Sequence, residues 1–407
     1  MPLSTAKAIE PASALFWRAT LALCLGSYMV FSNVYVTQPL LPMLAADFEI
    51  SALEAGWSFT VSTLTLGLSL LIYGPLSDAI GRRGLMLFSL AGTTLITFLL
   101  SQTQDYTTLL WLRGLQGFLL GGVPAIAIAY MGDEYSKKAL MMAVGIYISG
   151  NTLGGISGRL IGGFVGDWLG WSEAFLAMTL VSLCCLALFA LLLPPSKRFE
   201  AKPLHPVSMG KDLLEHLRNP LLLVAYLIGG FNFFIFINQY SYITFVLADA
   251  PYALPASLLG MLFLTYLTGT VGSAFSGKIA QRMPQPQVMV LGITVLMLGS
   301  LVTLLPHLIA IVCGFLLNSF GFFVAHSAAS GWVSRTATHA RASANSLYLV
   351  FYYLGASTGS FYLDPFWHWL GWSGVVAGSL VVLSLTLCAS LWLLRQERQQ
   401  QAMPQVA

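Results

Sequence analysis

The amino-acid sequence predicts an all-α, polytopic membrane protein with twelve transmembrane helices in two pseudo-symmetric six-helix bundles. Three observations support this fold class: long apolar runs along all 407 residues, a one-sided distribution of lysine and arginine, and an internal repeat. Hydrophobic residues make up 57% of the chain and charged residues 9%, with a mean hydropathy of +0.77. Soluble domains carry about 25% charged residues, so a soluble fold is excluded.

Hydropathy divides the chain into twelve runs, and a helix of about 20 apolar residues is enough to cross a bilayer. Helices are expected because every backbone polar group in lipid must be hydrogen-bonded within its own segment. The first run is too long for a signal-peptide core and is counted as a span. The runs, numbered here as spans one to twelve, cover residues 16–44, 55–77, 84–102, 107–131, 139–166, 172–194, 219–247, 255–279, 287–305, 308–332, 343–366 and 373–394.

The basic residues predict the orientation of these spans. Of the 19 lysines and arginines, all but Arg113 and Arg159 fall in one alternate set of loops, at the termini, or, for Arg18 and Lys278, at the adjoining end of a span. The opposite loops contain acidic residues and no lysine or arginine. Cytoplasmic loops of membrane proteins are enriched in lysine and arginine. We therefore expect both termini to be cytoplasmic. The net charge of +3 gives no support for nucleic-acid binding.

An internal repeat divides the chain into halves. The segment Trp168–Ser172 recurs as Trp369–Ser373, which is an offset of 369 − 168 = 201 residues. Tandem repeats related by an axis along the membrane normal are typical of twelve-span transporters, which bind their solute between the halves. We predict an N-terminal half over residues 1–194, a cytoplasmic linker over 195–218, and a C-terminal half with a short tail over 219–407.

The loop after span two carries a specific motif, Gly74-Pro-Leu-Ser-Asp78-Ala-Ile-Gly81-Arg82-Arg83. It resembles the signature loop of the major facilitator superfamily, Gly-x-x-x-Asp-x-x-Gly-Arg-Arg/Lys. The resemblance implies that Asp78 engages the start of helix eleven, where a helix N-terminus favours a negative charge.

The same resemblance predicts an inner gate in which the two arginines reach acids at the end of span four. The predicted gating residues are Gly74, Asp78, Gly81, Arg82, Arg83, Asp133 and Glu134. The alternative is that the loop only anchors the chain through its positive charge.

Two arginines lie inside spans, where charged residues are costly and usually functional. Arg113 begins an Arg-x-x-Gln-Gly motif that resembles one of the same family, and it is a candidate for proton coupling. A structural arginine bonded to backbone carbonyls and Gln116 is the alternative. Arg159 interrupts a span-five face with a glycine at every fourth residue, and this pattern resembles the family's antiporter motif, although Gly155 replaces its proline. Plain helix packing also explains the glycines.

His326 is the only histidine deep in a span, and histidine exchanges protons near physiological pH. It is therefore a candidate for coupling, although a neutral histidine bonded across helices is equally consistent with the sequence. Spans one and seven carry polar groups beside aromatic residues, which suit a cavity for solutes of mixed polarity. The predicted substrate-binding residues are Asn33, Thr37, Gln38, Asn232, Asn238, Gln239 and Tyr240. Helix bends are the alternative role for Gln38 and Asn232.

Residues of spans five, ten and eleven, including Ser346-Leu347-Tyr348, are similar to the YnfM-like, acriflavine-sensitivity branch of the superfamily. This resemblance implies an inner-membrane secondary transporter, and we predict a monomeric, proton-coupled exporter of small amphipathic molecules or drugs. The alternative is a sugar or metabolite exporter, or a facilitator without proton coupling. A membrane enzyme would need paired catalytic groups, and a receptor would need a large soluble domain; neither is found in the sequence. No cofactor or metal is expected, and the five cysteines all lie in apolar runs.

Overall fold

A computed structural model describes residues 7–11, 13–201, 206–339 and 341–402. Within these ranges the chain is almost entirely helical and forms no β-strand, apart from one isolated bridge between Ile9 and Tyr135. Part of the predicted linker, including Lys202, lies outside the described residues, as do both chain ends. The predicted all-α fold class is confirmed.

The first six spans follow one another with short connections. Spans one and four each consist of two helices, which join through a short 3-10 turn at Gln38–Leu40 in span one and directly at Gly121 in span four. The helices of these six spans are Ala14–Tyr35 with Leu41–Asp47, Ala52–Ile80, Arg82–Gln102, Tyr106–Leu120 with Gly122–Glu134, Lys137–Leu169, and Trp171–Leu192.

The second six spans begin after a short helix in the predicted linker, Pro206–Arg218. Span eight is interrupted by a 3-10 turn at Phe263–Thr265. The helices of this half are Pro220–Ala248, Ala256–Leu262 with Tyr266–Ile279, Gln285–Val302, Leu308–Thr336, and the long element Arg341–Ala402.

Eleven helices in the described chain are long and apolar enough to cross a membrane. The last element, Arg341–Ala402, has 62 residues, and its backbone leaves the helical conformation at Leu370 and Gly371. A straight helix of that length would measure about 93 Å, roughly three times the hydrocarbon thickness of a bilayer. The break falls between the predicted spans eleven and twelve, so this element contains both.

The break also explains the internal repeat. Gly371 has φ +56°, and its counterpart Gly170, at the corner between spans five and six, has φ +111°. Positive φ values of this kind are accessible to glycine and unfavourable for side chains with a Cβ atom. The repeated Trp-Leu-Gly-Trp-Ser segments are therefore the sharp corners that reverse the chain direction in each half.

Local hydrogen bonds define other helix starts. Ser51 and Glu54 form a reciprocal capping box at the start of span two, which satisfies backbone donors that a helix start leaves free. Asp105 caps span four, and the hydrogen bonds from the backbone N–H and hydroxyl of Thr108 hold the pKa of the Asp105 carboxyl below its usual range.

Contacts divide the chain into two compact units. The first comprises Met1–His205 with Ala253–Met261, and the second comprises Pro206–Tyr252 with Leu262–Ala407. The start of span eight belongs to the first unit because it packs on span five: the Ser257 hydroxyl donates to Asp167 at 2.7 Å, and Gly163 lies against the Ala256 backbone.

The glycine face of span five packs directly on span one. A Cβ atom at Gly150, Gly154, Gly158 or Gly162 would contact the backbone of span one. Small residues at such positions let two helix backbones approach closely. The spacing of four residues places one glycine at each successive turn of the contact.

We expect Gly158→Ala to lower the free energy of unfolding by about 1–3 kcal/mol, the usual cost of overpacking a tight contact. The added Cβ would lie 2.6 Å from the Cα of Ser32, so the two helices would have to separate. Unfolding of the purified protein by SDS titration in mixed micelles measures this change.

Gly145→Ala on the same helix is the matched control, because no atom lies within 4 Å of its added Cβ. Alanine is the better helix former, so this change should stabilise the protein by up to about 1 kcal/mol. Equal stabilisation by both substitutions would show that the contact between spans one and five is loose.

Candidate functional site

Arg113 is fully buried at the centre of the first unit. Its Nε donates to the Ser58 carbonyl at 2.9 Å, and its Nη atoms donate to the carbonyls of Asn33 at 3.0 Å and Val34 at 3.1 Å. Gln116 accepts a further short hydrogen bond from it. No carboxylate of the described chain lies within ion-pair distance of this guanidinium. These contacts tie span four to spans one and two.

Asn33 takes part in a buried polar triad beside Arg113. Its Oδ1 accepts from the Thr97 hydroxyl at 2.8 Å and from the Gln116 amide at 3.2 Å, and its Nδ2 donates to Ser182 at 2.9 Å. Thr37 is also fully buried and accepts a long hydrogen bond, 3.4 Å, from Arg113. Both predicted substrate residues therefore bond to neighbouring helices of their own unit.

The second unit contains an equivalent triad. Gln239 Oε1 accepts from the Asn318 amide at 2.6 Å, and the Ser300 hydroxyl lies 3.1 Å from both Oε1 and Nε2 of Gln239. This triad joins spans seven, nine and ten, whereas the first triad joins spans one, three and four, which are the corresponding spans of the repeat. A paired arrangement on corresponding helices indicates that each triad holds three helices together.

The other predicted polar residues of span seven also reach neighbouring helices. Each is buried and bonds to a different helix of the second unit. Asn232 accepts from Thr386 at 2.8 Å, Asn238 donates to the Ala356 carbonyl at 3.0 Å, and the Tyr240 hydroxyl lies 2.6 Å from that of Thr265.

Arg159 and Gln38 come together, although the sequence suggested different roles for them. The Arg159 Nε donates to Gln38 Oε1 at 2.8 Å, and an Nη atom donates to the Gly155 carbonyl at 3.0 Å. The guanidinium lies 3.9 Å from the centroid of the Tyr35 ring, within the range of a cation–π interaction. The sequence did not identify Tyr35, which lies one helical turn before Gln38.

His326 is partly exposed at the edge of a large aromatic cluster. Its Nδ1 lies 2.9 Å from the Tyr348 hydroxyl, and the structure gives its Nε2 no hydrogen-bond partner among the described residues. The ring stacks on Phe322 at a centroid distance of 5.7 Å and lies 4.8 Å from Tyr352. One nitrogen is therefore held by the protein and the other is available to a solute, water or a proton.

The cluster behind His326 is a set of nearly parallel rings. Phe236 stacks on Phe322 with centroids 4.0 Å apart and planes 5° apart, and Phe233 stacks on Tyr352 at 3.6 Å and 11°. These pairs bring rings from spans seven, ten and eleven into direct contact. The deep rings are fully buried, and Phe323, His326 and Tyr352 form the partly exposed edge. We call this set the aromatic surface.

At the motif after span two, Arg82 lies between two acids. Its Nη1 lies 2.6 Å from Asp78 Oδ1, and its Nε lies 2.7 Å from Asp133 Oδ2. Only 7% of the Arg82 side chain is exposed. Arg82 therefore reaches the end of span four. Gly81, with φ +109°, makes the corner before it, while a Cβ at Gly74 would have open space around it.

Arg83 and Glu134 do not bind each other: Arg83 binds the end of span six, and Glu134 binds the start of the predicted linker. Arg83 donates to the carbonyls of Ala190 and Leu193 at 2.8 and 2.9 Å. Glu134 accepts from the backbone N–H groups of Lys197 and Arg198, each at 2.8 Å. The bonds from Arg83 satisfy carbonyls that the C-terminus of a helix leaves free. The bonds to Glu134 attach the start of the predicted linker to span four.

The sequence is similar to known transporters over nearly its whole length. The family model described as Major Facilitator Superfamily matches residues 23–360. The inner membrane transport protein YnfM of Escherichia coli (strain K12) is 35% identical over 91% of this chain and 89% of its own. The MFS-type transporter YybF of Bacillus subtilis (strain 168) is 34% identical over 95% and 94% of the two chains.

Solved structures of low sequence identity share the fold. A crystal structure of the peptide transporter POT in complex with sulfate gives a TM-score of 0.76 at 14% identity, covering 93% of this chain and 94% of that one. The nucleoside transporter NupG gives 0.75 at 12% identity, covering 92% and 99%. With the family match and the named relatives, which are transporters and not enzymes, this similarity shows that the chain belongs to the Major Facilitator Superfamily, in its YnfM-like branch, and is a multi-pass secondary transporter.

Proposed function

We propose that this transporter is a proton-coupled exporter of small amphipathic molecules that works by alternating access. The aromatic surface of the second unit carries the proposal. It offers an apolar, π-rich face for the hydrophobic part of a solute and one available polar atom, His326 Nε2. Pockets that bind small molecules combine apolar walls with a few placed polar groups in this way.

The first unit contains a separate polar group. Arg159, Gln38 and Tyr35 form a compact group with a guanidinium and an amide. Their side chains and those of the other predicted substrate residues are buried in this conformation. Alternating access changes which interior groups meet solvent, so these residues remain candidates for solute contact in another state.

Orientation and gating belong to the same proposal. The basic loops favour cytoplasmic termini, and the YnfM relative supports a cell inner membrane. The Asp78–Arg82–Asp133 bridge connects the ends of spans two and four, and we propose that it positions Asp78 for the latch with helix eleven. Protons are the proposed coupling ion, and a monomer is the proposed transport unit.

Reconstitution into liposomes that contain a trapped pH-sensitive dye tests the function. We expect ethidium, chloramphenicol or benzalkonium to drive a counterflow of protons, and an imposed pH gradient to drive movement of the same solutes. A sugar such as arabinose should give neither signal. Gradient-independent arabinose movement without any response to the amphipathic solutes would contradict the proposal.

The second candidate is a sugar or metabolite exporter, or a facilitator without proton coupling. Two proteins of the same fold, NupG and POT, are named as a nucleoside transporter and a peptide transporter. The buried amides of spans one and seven are also groups that hydrogen-bond polar metabolites. The liposome experiment separates the two candidates directly.

His326→Gln should remove the pH dependence of solute binding while preserving binding itself. Glutamine keeps a hydrogen-bonding group at this position, but it does not titrate near neutral pH as histidine does. Equilibrium dialysis of ethidium against the purified protein at about pH 5 and pH 8 measures the change. The parent should bind the cationic ethidium less tightly at the lower pH, where a protonated imidazole repels it, and His326→Gln should bind it with equal affinity at both values. A pH dependence equal to that of the parent would assign His326 a structural role.

A further inference from the structure

A carboxylate and a histidine lie one helical turn apart near the C-terminal end of span eleven. The predicted topology places this end of the span on the side opposite the cytoplasm. Asp364 Oδ2 lies 3.6 Å from His368 Nε2, and Asp364 Oδ1 lies 3.4 Å from the hydroxyl of Tyr242 on span seven. The Asp364 side chain is 17% exposed, whereas that of His368 is 69% exposed. A mostly buried acid is therefore connected to solvent through an exposed imidazole.

The partners of Asp364 set it apart from two other mostly buried acids. Glu134 accepts two backbone N–H bonds, and Glu397 pairs with Arg335 at 2.7 Å. Glu134 is thus bonded by two backbone donors, and Glu397 is paired with a permanent positive charge. Asp364 instead contacts a neutral hydroxyl and a histidine, and no lysine or arginine of the described chain lies within ion-pair distance of it. Its protonation is not opposed by a permanent positive charge.

The Tyr242 hydroxyl has a hydrogen-bond acceptor in either protonation state of Asp364. The hydroxyl has one hydrogen and two acceptors within reach, Asp364 Oδ1 at 3.4 Å and the Ser360 carbonyl at 3.2 Å. The ionised carboxylate attracts the hydrogen, since bonds to charged acceptors are stronger. When Asp364 is protonated, the hydroxyl donates to Ser360 instead, so no buried donor is left unsatisfied in either state.

We propose that Asp364 is an outer proton-binding residue of the transport cycle, with His368 as its proton donor and Tyr242 as the residue that positions it. The assignment rests on the proposed proton coupling. The ligand is a proton: His368 takes it from solvent, the Nε2–H bond breaks as an O–H bond forms at Asp364 Oδ2, and the imidazolium and carboxylate become neutral imidazole and carboxylic acid. Facing Asp364 are Tyr242 from span seven and His368 from its own helix.

Infrared difference spectroscopy of the purified full-length protein tests proton binding without any solute. When the pH is lowered from about 8 to about 5, the range in which histidine gains its proton, the parent should gain a carboxylic-acid C=O band. Asp364→Asn should lack this band, and Asp364→Glu should restore a shifted one. His368→Asn should keep the band but slow proton uptake in stopped-flow measurements. Asp249→Asn, an exposed acid of the loop after span seven, is the matched control and should behave like the parent.

Liposome transport of ethidium then links the site to coupling. A pH gradient should accelerate ethidium transport about tenfold less in Asp364→Asn than in the parent, a change that corresponds to 1.4 kcal/mol. Exchange at zero gradient should be unchanged. If the parent responds to the gradient and Asp364→Asn responds equally, the assignment of Asp364 is wrong while the exporter proposal stands. If the parent itself shows no response, proton coupling is wrong and the assignment falls with it. An unchanged infrared band in Asp364→Asn would also overturn the assignment.

Discussion

Replacement of Arg113 with methionine should lower the free energy of unfolding by about 3–5 kcal/mol, because several buried acceptors would lose the donor that they share. Methionine fills a similar volume but donates no hydrogen bond. The carbonyls of Asn33 and Val34 lie in the last turn of their helix, where a helix supplies no donor of its own. Without Arg113 they would be unsatisfied in a buried environment, at a cost of about 1–3 kcal/mol each. The Ser58 carbonyl would also lose its bond from Arg113. SDS titration of the purified protein measures the loss.

Two further variants make the Arg113 result interpretable. Arg113→Lys should be intermediate, because an ammonium group keeps the charge but lacks the planar fork that reaches several carbonyls at once. Arg398→Met, at an exposed arginine near the C-terminus, should change stability by no more than about 0.5 kcal/mol. If Arg113→Met is as stable as the parent but does not respond to a pH gradient, Arg113 is a coupling residue and not a structural cross-link.

Asp78→Asn should reduce the transport rate about tenfold with little change in folding. The proposed latch depends on a carboxylate facing a helix N-terminus, an interaction that contributes up to about 2 kcal/mol in partly buried sites. The amide removes that attraction. The fold should tolerate the change because Arg82 keeps its bond to Asp133 at 2.7 Å. Ethidium transport in liposomes, normalised to the amount of reconstituted protein, measures the rate.

Glu200→Gln is the control for this prediction, since it removes an exposed acid from the same predicted cytoplasmic side. It should transport ethidium at the parental rate. Parental turnover in Asp78→Asn would favour the interpretation of the motif as a positive-inside anchor. A large loss of stability in Asp78→Asn would show that the acid serves mainly to hold Arg82.

Several features of the chain follow from the sequence because they depend on neighbouring residues. Apolar runs determine which segments cross the bilayer, since hydropathy and helix length are local properties. The glycines of span five are four residues apart and therefore lie on one face of a helix. The repeated Trp-Leu-Gly-Trp-Ser segments mark the corners at Gly170 and Gly371, because glycine alone accommodates those φ values without strain.

The partners of the buried polar groups were decided only by the tertiary structure. Arg113 and Arg159 both lie inside apolar spans. Arg113 is nevertheless enclosed by backbone carbonyls, whereas Arg159 stacks on Tyr35. Val34 precedes Arg113 by 79 residues, and Tyr242 precedes Asp364 by 122. The spacing and the type of residues along the chain determine which residues share one face of a helix. A hydrogen bond between helices depends in addition on how the helices pack, how each is rotated about its axis, and how deep each residue lies in the bilayer. For this reason the sequence identified the polar residues of spans one and seven but not the neighbours to which they bond.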